Sequence, residues 1–337
     1  YDVYHLPEYH QFAEEQSDVQ AILFVYEDES VVVGMPLLLQ RLDGVDGIEG
    51  AGHFDTTSVY GYPGPVANVS DIPEDVAEGF SISLRSFLQS KGVVSAFSRL
   101  HPLVEQKCLL SNFGDVLDVG PTVSIDLRLP ADEQEQQYRG GHRYDIDKAR
   151  RNDVVCIHDA SWDHLDTFID VYHETMHRVN ADDYYFFDRA YFARLRDLLQ
   201  ERLLLFVALK DGKVISGSLF TICNSIIQYH LSGTDSEHLD LAPSKLILDT
   251  VRVWGKEAGA KTFHLGGGVG GEEDGVFQFK AGFSNRTHRF RIWRAIVNQQ
   301  VYQALTEQKR TWNDQRGSEV VDEDYFPAYR APTREKD

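Results

Sequence analysis

The chain has 337 residues, 42% hydrophobic and 26% charged, which excludes a disordered or fibrous protein and, at about 100–200 residues per domain, gives two domains. A formal net charge of −20 excludes a surface that grips nucleic acid mainly through phosphates, so any RNA contact must be local, and the acidity itself reads as solubility. Cys108, Cys156 and Cys223 lie far apart with no CxxC pair, which excludes a zinc site or a disulfide framework and reads as buried free thiols in a reducing cytosol.

No apolar run reaches the roughly 18 residues a membrane helix needs, and no signal peptide is visible. Tyr1 in place of Met reads as a trimmed start. In chain order, Gln20 to Tyr26 and Val31 to Leu39 are predicted strands flanking a turn at Glu27 to Ser30. YGYPGPV (Tyr60 to Val66) demands an irregular loop. From Pro73 to Lys91 the residues Val76, Phe80, Leu84, Phe87 and Leu88 share one helical face, with Pro73 as start and Gly92 as stop. Val93 to Ser98 follows as a buried strand.

Pro130 to Gln137 starts a connecting helix. Two more helices are lined by Leu165, Phe168, Ile169, Tyr172 and Met176, and by Tyr191, Phe192, Leu195, Leu198 and Leu199. Leu203 to Leu209, Val214 to Ile222 and Ile226 to Leu231 are strands, with Asp211-Gly212 as a turn. A helix over Ser244 to Ala258 ends at Gly259, and Thr262 to Leu265 is a strand. The order hairpin, irregular loop, helix, glycine, buried strand thus occurs twice, a weak internal duplication. Arg289 to Ala295 alternates as a strand, a helix runs from Asn298 to about Trp312, and the polar tail after Arg316 reads as loose or packed late.

The most informative segment is FHLGGGVGGEEDGVFQFKAGF (Phe263 to Phe283). Gly266, Gly267 and Gly268 let the backbone approach a ligand and present N–H groups to an anion or carbonyl oxygen. A cation behind them, Lys280, could stabilise negative charge developing in a transition state. Taken alone, the plainer reading is a flexible loop and a surface lysine. His142, Arg143, Lys148, Arg150 and Arg151 form a basic cluster, read either as a phosphate or carboxylate contact or as a solvated helix face. No GxSxG elbow occurs, which argues against an acyl-enzyme.

The order LGGG…D…FQFKAGF resembles the Fem-type aminoacyltransferases. YGYPGPV, RLHPL (Arg99 to Leu103), HRYDIDKARRNDV (His142 to Val154), ETMHR (Glu174 to Arg178), YYFFDRAYF (Tyr184 to Phe192) and YHLSGT (Tyr229 to Thr234) fit the same family, so the resemblance spans nearly the whole chain. It implies an α/β fold of two tandem GNAT-like domains with mixed sheets flanked by helices. Residues 1–129 would form the first domain and 130–291 the second, with the segment from about Ile292 folding back onto the first.

The resemblance also implies roles. Phe279 and Lys280 would lie at the reaction centre, the lysine steadying the oxyanion or the charge on a departing tRNA ribose. Acceptor phosphates would bind near Arg178 or Arg189, with Tyr184 and Tyr185 alongside; the two tyrosines could equally be core. Tyr229 would face the active site. His230, its strand neighbour, reads as a general base near neutral pH or as a structural histidine. Tyr60 and Tyr62 would line the cleft from the first domain, or pack around Pro63 and Pro65.

Two departures bear on the donor. LAPSKL (Leu241 to Leu246) lacks the glycines with which acetyl-CoA-dependent GNAT enzymes hold the pyrophosphate, and the charged helical hairpin that some Fem enzymes use on tRNA has no counterpart. The first weighs against acetyl-CoA and the second against a tRNA contact of that kind; the resemblance still implies transfer from aminoacyl-tRNA to an amine (a peptidoglycan precursor, a peptide or an amino sugar) with no metal and no cofactor. An acyl-CoA- or carrier-dependent N-acyltransferase and a catalytically silent binding protein are the alternatives.

Overall fold

The structure, a computed structural model, describes residues 1–104, 107–322 and 324–335. In chain order the elements begin with α1 (Pro7–Gln16), β1 (Val19–Asp28), β2 (Val31–Arg41), β3 (Phe54–Thr57), β4 (Val66–Ala67), α2 (Glu74–Ser90) and β5 (Val93–Leu100). They continue with α3 (Lys107–Leu110), β6 (Asp115–Asp126), α4 (Ala131–Gln136), α5 (Gly140–Arg151), β7 (Val155–His158), α6 (Leu165–Arg178) and α7 (Arg189–Leu199). Next come β8 (Leu203–Lys210), β9 (Lys213–Cys223), β10 (Ile226–Thr234), α8 (Pro243–Glu257), β11 (Thr262–Gly267) and α9 (Gly275–Lys280). The chain closes with β12 (Thr287–Ile296), α10 (Gln299–Arg316), β13 (Ser318–Val320) and β14 (Thr333–Glu335).

Residues 1–3 and 120–289 form one compact unit, and residues 4–119 and 290–337 form the other. In the first, strands run in the order β7-β8-β9-β10-β11-β6. Neighbours are antiparallel except β10 and β11, which are parallel and joined through α8. Both faces are covered. Leu204 and Phe206 pack with Ile146 of α5 and Ile247 and Val251 of α8, while Leu205 and Val207 pack with Phe168 and Tyr172 of α6 and Phe192 of α7. That two-sided burial is why Leu203 to Leu209 reads as an unbroken apolar run. Gly217 and Gly233 are cross-strand partners, and a Cβ on Gly233 would lie 2.5 Å from the backbone of Tyr172. Only glycine lets α6 lie this close to β10.

The second unit repeats the order. Its strands run β1-β2-β3-β5-β12, with β4 beside β2, and β3 is parallel to β5 across α2 just as β10 is parallel to β11 across α8. Val76, Phe80, Leu84 and Leu88 of α2 pack on Val33, Met35 and Leu37 of β2. The duplication expected from sequence is thus present as strand order.

Several expectations change. The connecting helix divides into α4 and α5, and α10 runs on to Arg316, where Gly317 takes φ +63° as its stop. Cys108 is exposed rather than buried. Of the two readings of the tail, packing holds around Tyr329 and Arg330, while Val321 and Tyr325 are exposed and 323 and 336–337 lie outside the described residues. Tyr329 is 0% exposed among Leu42, Val94 and Leu305, its hydroxyl lies 2.7 Å from Ser95 Oγ, and Arg330 Nε donates to Asp55 at 2.6 Å. A polar sequence hid these two anchors.

Tyr329→Ala should therefore cost about 3–5 kcal/mol, the usual range for emptying a buried aromatic site. Urea denaturation measures it; an unchanged midpoint would mean that the tail is loose.

Candidate active site

β11 ends in glycines for reasons of shape. Its pairing with β6 slips one place between His264 and Gly266, and Gly266 takes φ +80°. A Cβ on Gly268 would lie 2.0 Å from Glu272 O and 2.4 Å from Asp274 Oδ1. The loop therefore closes tightly on Asp274. Asp274 Oδ2 accepts from Val269 N at 3.2 Å, and Oδ1 accepts from Phe277 N at 2.9 Å. One carboxylate ties the glycine loop and caps the front of α9. The Phe277 N–H first of all, then other N–H groups and Lys280, hold its pKa below the ordinary aspartate value.

Lys280 is the last residue of α9. Its Nζ donates to Gly267 O at 2.5 Å and lies 6.0 Å from the centre of the Tyr229 ring. Burial lowers the ammonium pKa to about 8, against the pull of Asp274. That value leaves the protonated form favoured at pH 7. The site thus holds a cation poorly screened by water, where its field on developing negative charge is strong.

Tyr229 stacks on Phe220 at 5.5 Å. Burial raises its pKa, and Ser232 and Ser218 hydrogen-bond to it. The two serine hydroxyls lie 2.9 Å apart. Ser218 and Ser232 escaped the sequence reading; the signal was two hydroxyls in otherwise apolar strands. His230 sits at the register slip of β10. Burial takes its pKa down to about 4, so it is neutral at pH 7 but too weak a base for the role expected of it near neutrality.

The structure brings Gly267, Tyr229 and Lys280 together, with Phe279, Gly266 and Gly268 in the same loop and helix. The other expected residues have these partners. Arg178 Nη1 donates to Thr234 O and Ser236 Oγ, both at 3.0 Å, tying the end of α6 to the end of β10. Arg189 pairs with Asp166 at 2.5 Å in an exposed bridge, a kind worth little. Tyr184 is exposed, and Tyr185 O accepts from the Tyr172 hydroxyl at 2.7 Å. Tyr60 and Tyr62 belong to the other unit, where Tyr62 meets Tyr4 at 5.8 Å and Phe290 at 5.2 Å.

The basic cluster on α5 is no single anion pocket. Lys148 Nζ donates to Asp240 O at 2.7 Å, Arg150 pairs with Asp249 at 2.6 Å, and Arg151 lies over the Tyr144 ring. Arg143 reaches back towards Glu135 O, and His142 is buried. LAPSKL enters α8 through Ala242 at φ +48° and Pro243, with Leu241 and Leu246 buried. Among the described residues no group of three His, Cys, Asp or Glu is placed to hold a metal ion, and no helix is long and apolar enough to cross a membrane.

Residues 136–281 match the family described as an acetyltransferase (GNAT) domain. FemX has a similar structure, with TM-score 0.70 and 14% identity over 90% of this chain and 94% of FemX. The fold is Fem-type and tandem GNAT-like. Two further structures resemble this Fem-type fold. One is the C-terminal domain of a protein named as a lysylphosphatidylglycerol synthetase from Agrobacterium fabrum, with TM-score 0.52 and 16% identity over 84% of this chain and 91% of that one. The other is L-PGS from Bacillus licheniformis, with TM-score 0.50 and 12% identity over 87% and 93%. No curated protein matches the sequence. The GNAT match runs from just before α5 to just past Lys280.

The depressed Lys280 pKa has a stability signature. Below pH 8 the lysine is charged in both folded and unfolded states, and burying it costs stability in full. Between about 8 and the ordinary 10.5 the unfolded chain binds more protons, so that cost fades as pH rises. Lys280→Met should thus be most favoured relative to wild type at pH 7, and the advantage should shrink towards pH 10. Paired urea titrations test this; a stability difference constant with pH would show that Lys280 titrates as a solvated lysine.

Proposed function

We propose that the protein transfers an aminoacyl group from aminoacyl-tRNA to an amine, forming an amide, with Lys280 as the electrostatic catalyst. The observation that carries this reading is the Lys280 ammonium, held in partly dry surroundings against the Gly267 carbonyl and beside the Tyr229 ring.

The amine nitrogen attacks the ester carbonyl carbon, a C–N bond forms, and the carbonyl oxygen becomes an oxyanion. On collapse the C–O bond to the ribose breaks. The amine loses a proton and the ribose oxygen gains one, so no oxidant, metal or covalent enzyme intermediate is required. Negative charge develops first on the carbonyl oxygen and then on the leaving oxygen. A fixed cation lowers both barriers. The likeness to structures named for FemX and for lysylphosphatidylglycerol synthesis supports an aminoacyl donor. An amino sugar, a peptide or a peptidoglycan precursor fits as the amine.

The match to an acetyltransferase domain favours a second reading, transfer from acyl-CoA. Against it stands the segment Leu241 to Leu246, which enters α8 without the glycines that would let a pyrophosphate reach the backbone. Calorimetry should find weak or no acetyl-CoA binding. Filter binding should retain charged tRNA, and a thiol-release assay with acyl-CoA should stay silent. Micromolar acetyl-CoA affinity with thiol release would reverse the order of the two readings.

Lys280→Met keeps most of the apolar stem and deletes the charge. Turnover in a single-turnover assay should fall about 10²–10³-fold, while acceptor affinity changes much less. A normally melting variant with near-wild-type turnover would make Lys280 an ordinary lysine.

A further inference from the structure

α9 has six residues, far too few to persist as a helix in water. Asp274 secures its front. Its rear needs partners for the last carbonyls, and one short segment ahead of and within α5 supplies them. Arg139 Nη1 donates to Gln278 O at 3.2 Å, and Nη2 donates to Gln278 Oε1 at 3.1 Å. The Arg139 backbone N–H donates to Gly282 O at 2.9 Å. His142 Nε2 lies 2.8 Å from Phe279 O. A carbonyl can only accept, so His142 carries its hydrogen on Nε2 and donates.

The histidine is built in. Its ring meets Phe283 edge-on at 4.6 Å and Phe279 at 5.8 Å. A Cβ on Gly282 would lie 2.2 Å from Nε2, so the glycine is what admits the ring. Tyr138, just ahead of Arg139, meets Phe283 at 5.1 Å and donates its hydroxyl to Asp249 of α8 at 3.0 Å. The segment is thereby anchored to the core of the unit. Around His142, burial, Lys245 and Arg139 lower the pKa, and the Phe279 carbonyl and Asp145 raise it; the net is a lowered value and a neutral ring at pH 7.

We propose that Arg139 and His142 are positioning residues, which lock the rear of α9 so that the Lys280 ammonium stays beside Gly267 and Tyr229. The proposal rests on the reading of Lys280 as the working cation. Lys280 follows Phe279 directly, and its four-carbon stem is flexible. That side-chain freedom lets the ammonium reach water if the backbone beneath it loosens, and water solvates an ammonium better than one carbonyl does. Holding the cation therefore requires holding the turn that carries it.

The test reads Lys280 itself and needs no substrate. Lysine ammonium signals are followed by NMR through a pH titration, with Lys280→Met giving the assignment. In His142→Phe the ring remains and the donor is lost. Its Lys280 titration should move from about 8 to about 9 or higher, towards an ordinary lysine. His142→Gln restores an N–H donor and should return the value part of the way. Arg139→Ala removes an exposed side chain, so folding is safe, and a smaller rise in the same direction is expected. If His142→Phe does not fold, Arg139→Ala decides. Lys280 titrating near 8 in the folded variants would overturn the proposal. Failure of aminoacyl transfer in the assays above would leave this titration unaffected, so the two readings fail separately.

Discussion

The Lys280 ammonium rests against the Gly267 carbonyl in surroundings drier than it prefers, and the local structure is arranged around keeping it there. A cation lowered in pKa to about 8 would leave for water if the backbone allowed it. The backbone does not. Asp274 fastens the glycine loop to the front of α9, Arg139 and His142 fasten the rear, and Phe277 is buried in the core of the unit. At two glycines a Cβ would break one of these closures. Gly268 lets the loop reach Asp274, and Gly282 admits the His142 ring.

The sheet beneath supplies rigidity rather than chemistry. Burial on both faces of β8 to β11 fixes their register, because a slip by one residue would exchange the side chains facing α8 for those facing α6. Among the places that depart from that regularity are the slip at His230 in β10 and the slip before Gly266 in β11. Both adjoin residues of the candidate site. Irregular pairing next to a site is a common way to redirect a side chain or end a ladder.

Much of this was legible in the sequence. Strands with continuous apolar runs and helices with a single apolar face declared themselves, because period and burial coincide there. β3, β6 and β7 did not: each is short or carries polar residues, as in Asp115 to Asp126, and is fixed by its neighbours rather than by its own pattern. The glycine loop and Lys280 stood out through the resemblance to the Fem-type aminoacyltransferases, since taken alone the segment reads as a flexible loop and a surface lysine. His142 was misread within a basic run, since charge in a sequence does not reveal which side chain turns inward. Whether a residue such as His230 can act as a base depends on desolvation, which no sequence pattern states.

The fold alone does not choose the acyl donor. The most direct measurement is mass spectrometry of the products formed from a mixed panel of aminoacyl-tRNAs and amines, with acyl-CoA in a parallel arm. The account predicts an amide whose mass is that of the acceptor plus one aminoacyl residue, formed only where charged tRNA is present. Product appearing only in the acyl-CoA arm, or no product in either arm from a folded protein, would contradict it.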